Sequence, residues 1–295
     1  MPLPQTIKHL PAPFNRESFT LLQQGIYDCN TIDVYINHEG DFACLVPLPK
    51  VDYVSYVPRV QALGLSQYKR TMSVVLRRFE KIQHCFSGAG SILEIGAGDG
   101  AFLGHVSGVF PSLHLAALEV DQNTQAARKT LKGLREYSTF QEIRKGRETF
   151  DLICLFHVLE HIIDPREFFT NCLACLTPQG RIIIEVPSLN DPLLTLYGST
   201  AYRKFYFQRQ HPYVYSPRSL SRLLEEENIP PEQLIPHQRY GLENHLNWLT
   251  KEKPGGNEPF RQIFTDCEAD YMTALEKAGF TDTVIAIAKG GAIKC

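Results

Sequence analysis

Two imidazoles and a carboxylate fall within five residues in the stretch FDLICLFHVLEHIIDP, from Phe150 to Pro165. His157, Glu160 and His161 follow five consecutive apolar residues, Leu152 to Phe156. A strand that reads as core therefore ends in groups that titrate and ligate. A histidine of near-neutral pKa can take a proton from a hydroxyl in a transition state. Two imidazoles and a carboxylate are also metal-ligand types, and a structural use, capping and bracing the next helix, is open as well. The spelling H-x-x-E-H matches an inverted zinc-protease signature, but that use needs the motif inside a long helix, and His157 comes directly after a strand. Farther on, YRKFYFQRQHPYVYSP sets His211 among Tyr202, Phe205, Tyr206, Phe207, Tyr213 and Tyr215. Aromatic faces with Arg and Gln suit a polyhydroxyl ring, and an aromatic core patch holding one satisfied histidine fits equally.

The stretch SILEIGAGDGAF places Glu94, Gly96, Gly98 and Gly100 between an apolar strand and a helix. Glycines there let the backbone turn sharply and approach a ligand, and the helix start offers unbonded N–H groups to an anionic group. Gly96-x-Gly98-x-x-Ala101 also fits the loose dinucleotide pattern. Glu119 closes the next strand 21 residues after Gly98. A carboxylate there accepts from ribose hydroxyls in either a dinucleotide or an S-adenosylmethionine site. Glu94 tips the balance. It would repel a pyrophosphate and suits a ligand carrying a cation, such as the α-amino group or sulfonium of S-adenosylmethionine.

These residues need a scaffold that brings strand ends together. From residue 91 onward apolar strands alternate with helices, which predicts a parallel sheet covered on both faces and doubly wound. In such sheets ligands bind beyond the carboxyl ends of the strands, at the switch point. The first strand ends at Gly96 and the fourth at Phe156, and in this topology they are neighbours, so the histidine cluster opens onto the cofactor cleft. A weak third strand is expected near STFQEI, and a helix over NTQAARKTLKGLR. Ahead of this region, IDVYINHEGDFACLVPLP reads as two strands with a turn at Asn37–Gly40. Beyond it, Ser216 before Pro217 starts a capped helix. ENHLNWLTKEKPGGNEP, with His245 and Trp248, reads as a loop-rich cap over the acceptor, and a helix ends at Gly279.

With 295 residues and 43% hydrophobic content the chain can bury a proper core, and a net charge of −2 gives no basic bias toward nucleic acid. No apolar run of about 18 residues is long enough to span a membrane, and MPLPQTIKHLPAPF lacks the apolar core of a secretory signal. Cys172 and Cys175 lie three apart in a helical stretch and read as core residues. A reduced, cytoplasmic protein fits this cysteine usage. Three segments are expected: residues 1–86, an N-terminal strand/helix lid; 87–190, the cofactor-binding core; and 191–295, a substrate cap with the closing strands.

The E-x-G-x-G-x-G run resembles the first motif of class I S-adenosylmethionine-dependent methyltransferases. LEVD resembles their second motif, and FDLICLFHVLEHIIDP with LTPQGRIIIEVPS their later ones, in order and spacing. The resemblance covers residues 88–190 well and continues more weakly to the closing strand. It implies a three-layer α/β/α fold with a mostly parallel seven-stranded sheet, TDTVIAIAKG being the antiparallel last strand. Gly96, Ala97, Gly98 and Gly100 would wrap the methionine part of the cofactor, Glu119 would hold the ribose and Val120 flank the adenine. Phe156 and His157 would lie beside the methyl-donor end. Tyr53, Tyr56 and Tyr68 either close over the cofactor as a lid or serve ordinary helix packing.

Small-RNA ribose methyltransferases and ubiquinone O-methyltransferases are similar around the cluster, with an acid at the position of His157 followed by Glu-His. In them these side chains hold a divalent ion that chelates vicinal hydroxyls. Here His157 replaces the first acid, and imidazole suits softer ions than magnesium, so a metal on His157, Glu160 and His161 is allowed but not expected. The expected activity is methyl transfer to a hydroxyl, with carbon second, of a small acceptor such as a sugar or sugar nucleotide. His157, Glu160, His161 and His211 are the candidate catalytic groups. A homodimer is compatible with the sequence. The rival readings are an NAD-dependent oxidoreductase and a catalytically silent cofactor-binding protein.

Overall fold

A computed structural model of the chain describes residues 5–7, 10–50, 72–256 and 258–290. Its strands are β1 (Gln5–Thr6), β2 (Ser18–Gln23), β3 (Asp33–Asn37), β4 (Phe42–Val46), β5 (Ser91–Ile95), β6 (His114–Leu118), β7 (Arg135–Tyr137), β8 (Phe150–Phe156), β9 (Leu176–Pro187), β10 (Tyr213–Tyr215), β11 (Pro231–His237) and β12 (Thr283–Lys289). They form a five-stranded sheet, β1-β2-β3-β4-β10, and a seven-stranded sheet, β11-β12-β9-β8-β5-β6-β7. The chain divides into two compact units. One takes the described residues up to Pro49 with Glu160–Asp164 and Glu185–Ala286; the other takes the rest. Tyr53, Tyr56 and Tyr68 lie outside the described residues.

In the unit that carries the glycine loop, β5 runs parallel to β6 and β8, and β6 parallel to β7. Residues Ile92–Ile95 of β5 and Leu152–Phe156 of β8 are all buried. Strands covered on both faces have no solvent side, so they read as continuous apolar runs. With the closing strand antiparallel, the seven-stranded sheet and its flanking helices form the expected doubly wound α/β fold. Cys172 and Cys175 are both buried.

Two local expectations are corrected here. The third strand is Arg135–Tyr137, and the STFQEI stretch instead opens a helix, Phe140–Lys145. Thr139 caps it by accepting the Glu142 N–H, while the Glu142 carboxylate accepts the Ser138 N–H. This T-x-x-E signature outweighs the β-branched and aromatic residues around it. The helix expected over residues 123–135 is confined to Gln125–Arg128.

The other unit holds the antiparallel sheet. Asn37 ties its β3–β4 turn: its side-chain oxygen accepts the N–H groups of Asp41 and Phe42 at 2.9 and 3.0 Å. Phe42 stacks on Phe14 with ring centroids 3.8 Å apart and packs against Tyr213 and Tyr215. Tyr213 and Tyr215 are fully buried on β10, so they are core and not the substrate wall. Ser216 caps the helix Pro217–Glu226, as its sequence predicts.

The segment read as a loop-rich cap is a helix, Leu242–Lys251, stopped by Glu252 in the left-handed region. His245 and Trp248 turn inward and are buried. The His245 Nδ1 lies 2.5 Å from the Tyr271 hydroxyl. Burial pushes the imidazole from its ordinary 6.5 down to about 4. The unfolded chain binds that proton near 6.5 and the folded chain does not. The associated stability is therefore full above pH 6.5 and is lost as pH falls toward 4, by up to about 3 kcal/mol. Urea unfolding at pH 7 and at pH 4.5 should show His245→Gln losing less stability than the parent across this interval; equal losses would exclude the imidazole as the titrating group.

Candidate functional site

The glycine loop leaves β5 after Ile95. Glu94, beside Ala117 on β6 and Cys154 on β8, is 2% exposed. Gly96 has φ +72°, and a Cβ built on it would come 2.5 Å from the Val158 Cγ2 atom. No other residue type can both take that conformation and leave room for Val158. Ala97 is buried at 1%, and Gly98 and Gly100 also have positive φ. Gly100 leads directly into the helix Ala101–Val109, whose first N–H is taken by the Asp99 carboxylate at 3.1 Å.

Glu119 follows β6. One of its oxygens accepts the Gly98 N–H at 2.7 Å and the other the Asp121 N–H at 2.8 Å. Each carboxylate oxygen retains a second acceptor position for a ligand hydroxyl. Beside it Val120 is 57% exposed, a large apolar side chain left uncovered. Phe156, at the end of β8, is buried. The Arg78 guanidinium lies 4.3 Å from its ring centroid and the Phe102 ring meets it edge-on at 4.7 Å. Phe156 thus shapes the floor from within. His157 follows with φ +58°, in the left-handed region where histidine is enriched among non-glycine residues.

In the unit that contains them, Glu160, His161 and His211 bring their ligating atoms within 4.8 Å of one another. Glu160 and His161 lie on a single 3-10 turn, Leu159–His161, and Glu160 is 1% exposed. The rings of His161 and His211 meet edge-on, centroids 4.8 Å apart. His161 Nδ1 lies 2.6 Å from the Gln210 carbonyl. A carbonyl can only accept, so Nδ1 carries the proton and the imidazole lone pair is on Nε2. The Gln208 amide nitrogen approaches His211 at 3.1 Å. The sequence grouped His157 with Glu160 and His161; within their own unit Glu160 and His161 are joined by His211.

Among the buried charged or titrating groups that sequence reading missed are Arg78, Arg128 and Asp191. Arg78 and Arg128 are 4% and 2% exposed; each sits in a helix where arginine ordinarily signals a solvated face. Asp191 is buried and accepts hydrogen bonds from the Tyr202 hydroxyl at 2.6 Å and the Leu193 N–H at 2.7 Å. Burial, with the Asp282 carboxylate adding to it, pushes its pKa up to about 7. The Tyr206 hydroxyl donates to the Ser188 carbonyl at 2.8 Å. Tyr202 and Tyr206 therefore commit their hydroxyls within the protein, as does Tyr213, whose hydroxyl donates to the Ile163 carbonyl at 3.3 Å.

A family model described as a methyltransferase domain matches residues 65–230, more than half of the chain. Ubiquinone biosynthesis O-methyltransferase of Bradyrhizobium diazoefficiens is 27% identical over 237 residues, spanning 74% of this chain and 83% of that protein. Malonyl-[acyl-carrier protein] O-methyltransferase of Bacillus anthracis is 24% identical over 199 residues, spanning 65% of each. Among solved structures, the plantazolicin methyltransferase BpumL in complex with SAH superposes with a TM-score of 0.51 at 14% identity, over 79% of this chain and 91% of that one. A SAM-dependent methyltransferase from Archaeoglobus fulgidus gives a TM-score of 0.51 at 17% identity, over 78% and 99%. Among the described residues no helix is long and apolar enough to cross a membrane. The nicotinamide-dependent alternative falls with these matches: the chain belongs to the methyltransferase domain family and is a class I S-adenosylmethionine-dependent methyltransferase.

Proposed function

We propose that this methyltransferase acts on a hydroxyl of a small acceptor carrying neighbouring hydroxyl groups, a sugar or related polyhydroxyl ring. The convergence of Glu160, His161 and His211 carries the reading. The acceptor oxygen attacks the methyl carbon of the sulfonium while His161 Nε2 takes the hydroxyl proton. The carbon–sulfur bond breaks, its electron pair returns to sulfur, and S-adenosylhomocysteine leaves. The Gln210 carbonyl fixes the imidazole's orientation and tautomer, the Glu160 carboxylate lies close enough to stabilise the imidazolium that forms, and His211 borders the acceptor. Such a displacement draws most of its rate from alignment and proton removal. The curated relatives named above are O-methyltransferases, which supports oxygen over carbon.

On the donor side, Gly96, Ala97, Gly98 and Gly100 take the methionine portion, Glu94 its cationic end, Glu119 the ribose and Val120 the adenine face. Phe156 and His157 border the reactive methyl. Residues 87–190 thus serve the donor and 191–295 the acceptor; the lid expected of the segment up to residue 86 rests on Tyr68, which lies outside the described residues.

A second reading rests on the same cluster. Two imidazoles and a buried carboxylate within 4.8 Å also suit a divalent ion of the softer first-row kind. Such an ion would lower the pKa of a bound hydroxyl, with Glu160, His161 and His211 as its protein ligands.

Two measurements test these assignments. S-adenosylhomocysteine should raise the melting temperature and NADH should not, and Gly96→Val, which puts a side chain into Val158, should cut S-adenosylhomocysteine affinity about tenfold or more. Unchanged affinity would remove the donor from this loop. Against a panel of catechols, sugars and sugar nucleotides, His161→Ala and Glu160→Gln should each lower kcat by about 100-fold or more while S-adenosylhomocysteine binds within about threefold of the parent. Full activity in both variants would end the proposal. A rate unchanged in EDTA is expected for the imidazole base; loss in EDTA with recovery on adding manganese or zinc selects the metal reading.

A further inference from the structure

We infer that Arg128 is a positioning residue for the methyl donor: with Glu119 it clamps the Gly98 peptide and holds the glycine loop in its binding shape before the donor arrives. The inference rests on the reading that residues 96–100 receive the donor. Arg128 ends the short helix Gln125–Arg128 and is 2% exposed. Its Nη1 donates to the Gly98 carbonyl and to the Thr124 hydroxyl, the latter at 2.6 Å. Its Nε donates to Glu136 on β7 at 2.9 Å, an ion pair. The Gly98 N–H is taken by Glu119 at 2.7 Å. Both polar groups of one left-handed residue, φ +55°, are therefore held by opposite charges.

Packing agrees with this role. A Cβ on Gly100 would come 3.1 Å from the Arg128 Cγ and 3.0 Å from the Leu131 Cδ1, so the arginine stem runs against the loop at a point where a side chain would crowd it. Burying a guanidinium is unfavourable unless its donors are used; here at least three of the five are, and the contact to the loop is a polar one that a hydrocarbon cannot replace. Glu136 balances the charge, so the brace adds no net positive charge beside a cationic donor. A loop already ordered spares the donor the entropy of fixing it, which is how preorganisation raises affinity.

The test is calorimetric titration of the full chain with S-adenosylhomocysteine, alongside the melting temperature of the ligand-free protein. Arg128→Met keeps the stem and removes the donors; affinity per folded molecule should fall about tenfold or more, with Arg128→Lys recovering part of it, since an ammonium can reach the Gly98 carbonyl but not both anchors. A packing role alone would lower the melting temperature of Arg128→Met and leave its affinity at the parent value, and that result overturns the inference. Should Arg128→Met not fold, Thr124→Val and Glu136→Gln decide. Each removes one anchor and should weaken binding about threefold or more; parent affinity in both overturns it. Gly96→Val serves as the reference. If it loses S-adenosylhomocysteine while Arg128→Met keeps it, the clamp is refuted and the loop assignment stands; if both keep it, the loop assignment itself is refuted.

Discussion

Gly96 has no side chain, and Val158 fills the space where one would be. This contact joins the ends of two neighbouring parallel strands, β5 and β8, at the point where both leave the sheet. It requires a left-handed glycine on one strand end and, on the other, a chain that turns at His157 with φ +58° before presenting Val158. A non-glycine residue held in that region marks a conformation the surroundings impose. The loop that follows Gly96 leaves the sheet from this contact, so its starting direction depends on it.

The buried polar groups of the unit that holds the antiparallel sheet follow a different logic. Tyr202, Tyr206, Tyr271 and His245 each bond to a partner inside the protein. Asp191 is raised and His245 lowered by the same cause, loss of water around a group whose charged form needs it. Removing charge in this way makes the interior tolerable for residues that would otherwise oppose folding. It also sets them apart from Glu160, His161 and His211, whose ligating atoms converge on one another.

The parallel sheet was legible because its strands are apolar on both faces and its turns carry glycine and acid at fixed spacing, signals that depend only on the local chain. Glu94, the glycines and Glu119 were readable for the same reason. What escaped depends on distance along the chain. His211 joins Glu160 and His161 from another element, and no local pattern announces that meeting. Tyr213 and Tyr215 look like a ligand wall in sequence and are core because β10 pairs with β4, far upstream. The strand proposed at STFQEI lost to a capping signature that was present in the sequence, Thr139 with Glu142, and the helix Leu242–Lys251 was obscured by the Lys-Pro-Gly-Gly run that follows it.

Glu119 orders the loop through Gly98 and Asp121 with both of its oxygens, the same two that the proposed function assigns to the ribose. On that proposal, recognition of the sugar and architecture of the loop share one carboxylate and cannot be altered separately. Any redesign of this scaffold for donors modified at the ribose must leave that acid in place. The adjacent Val120, whose side chain stands open to solvent, is where a change of shape leaves the loop's support intact.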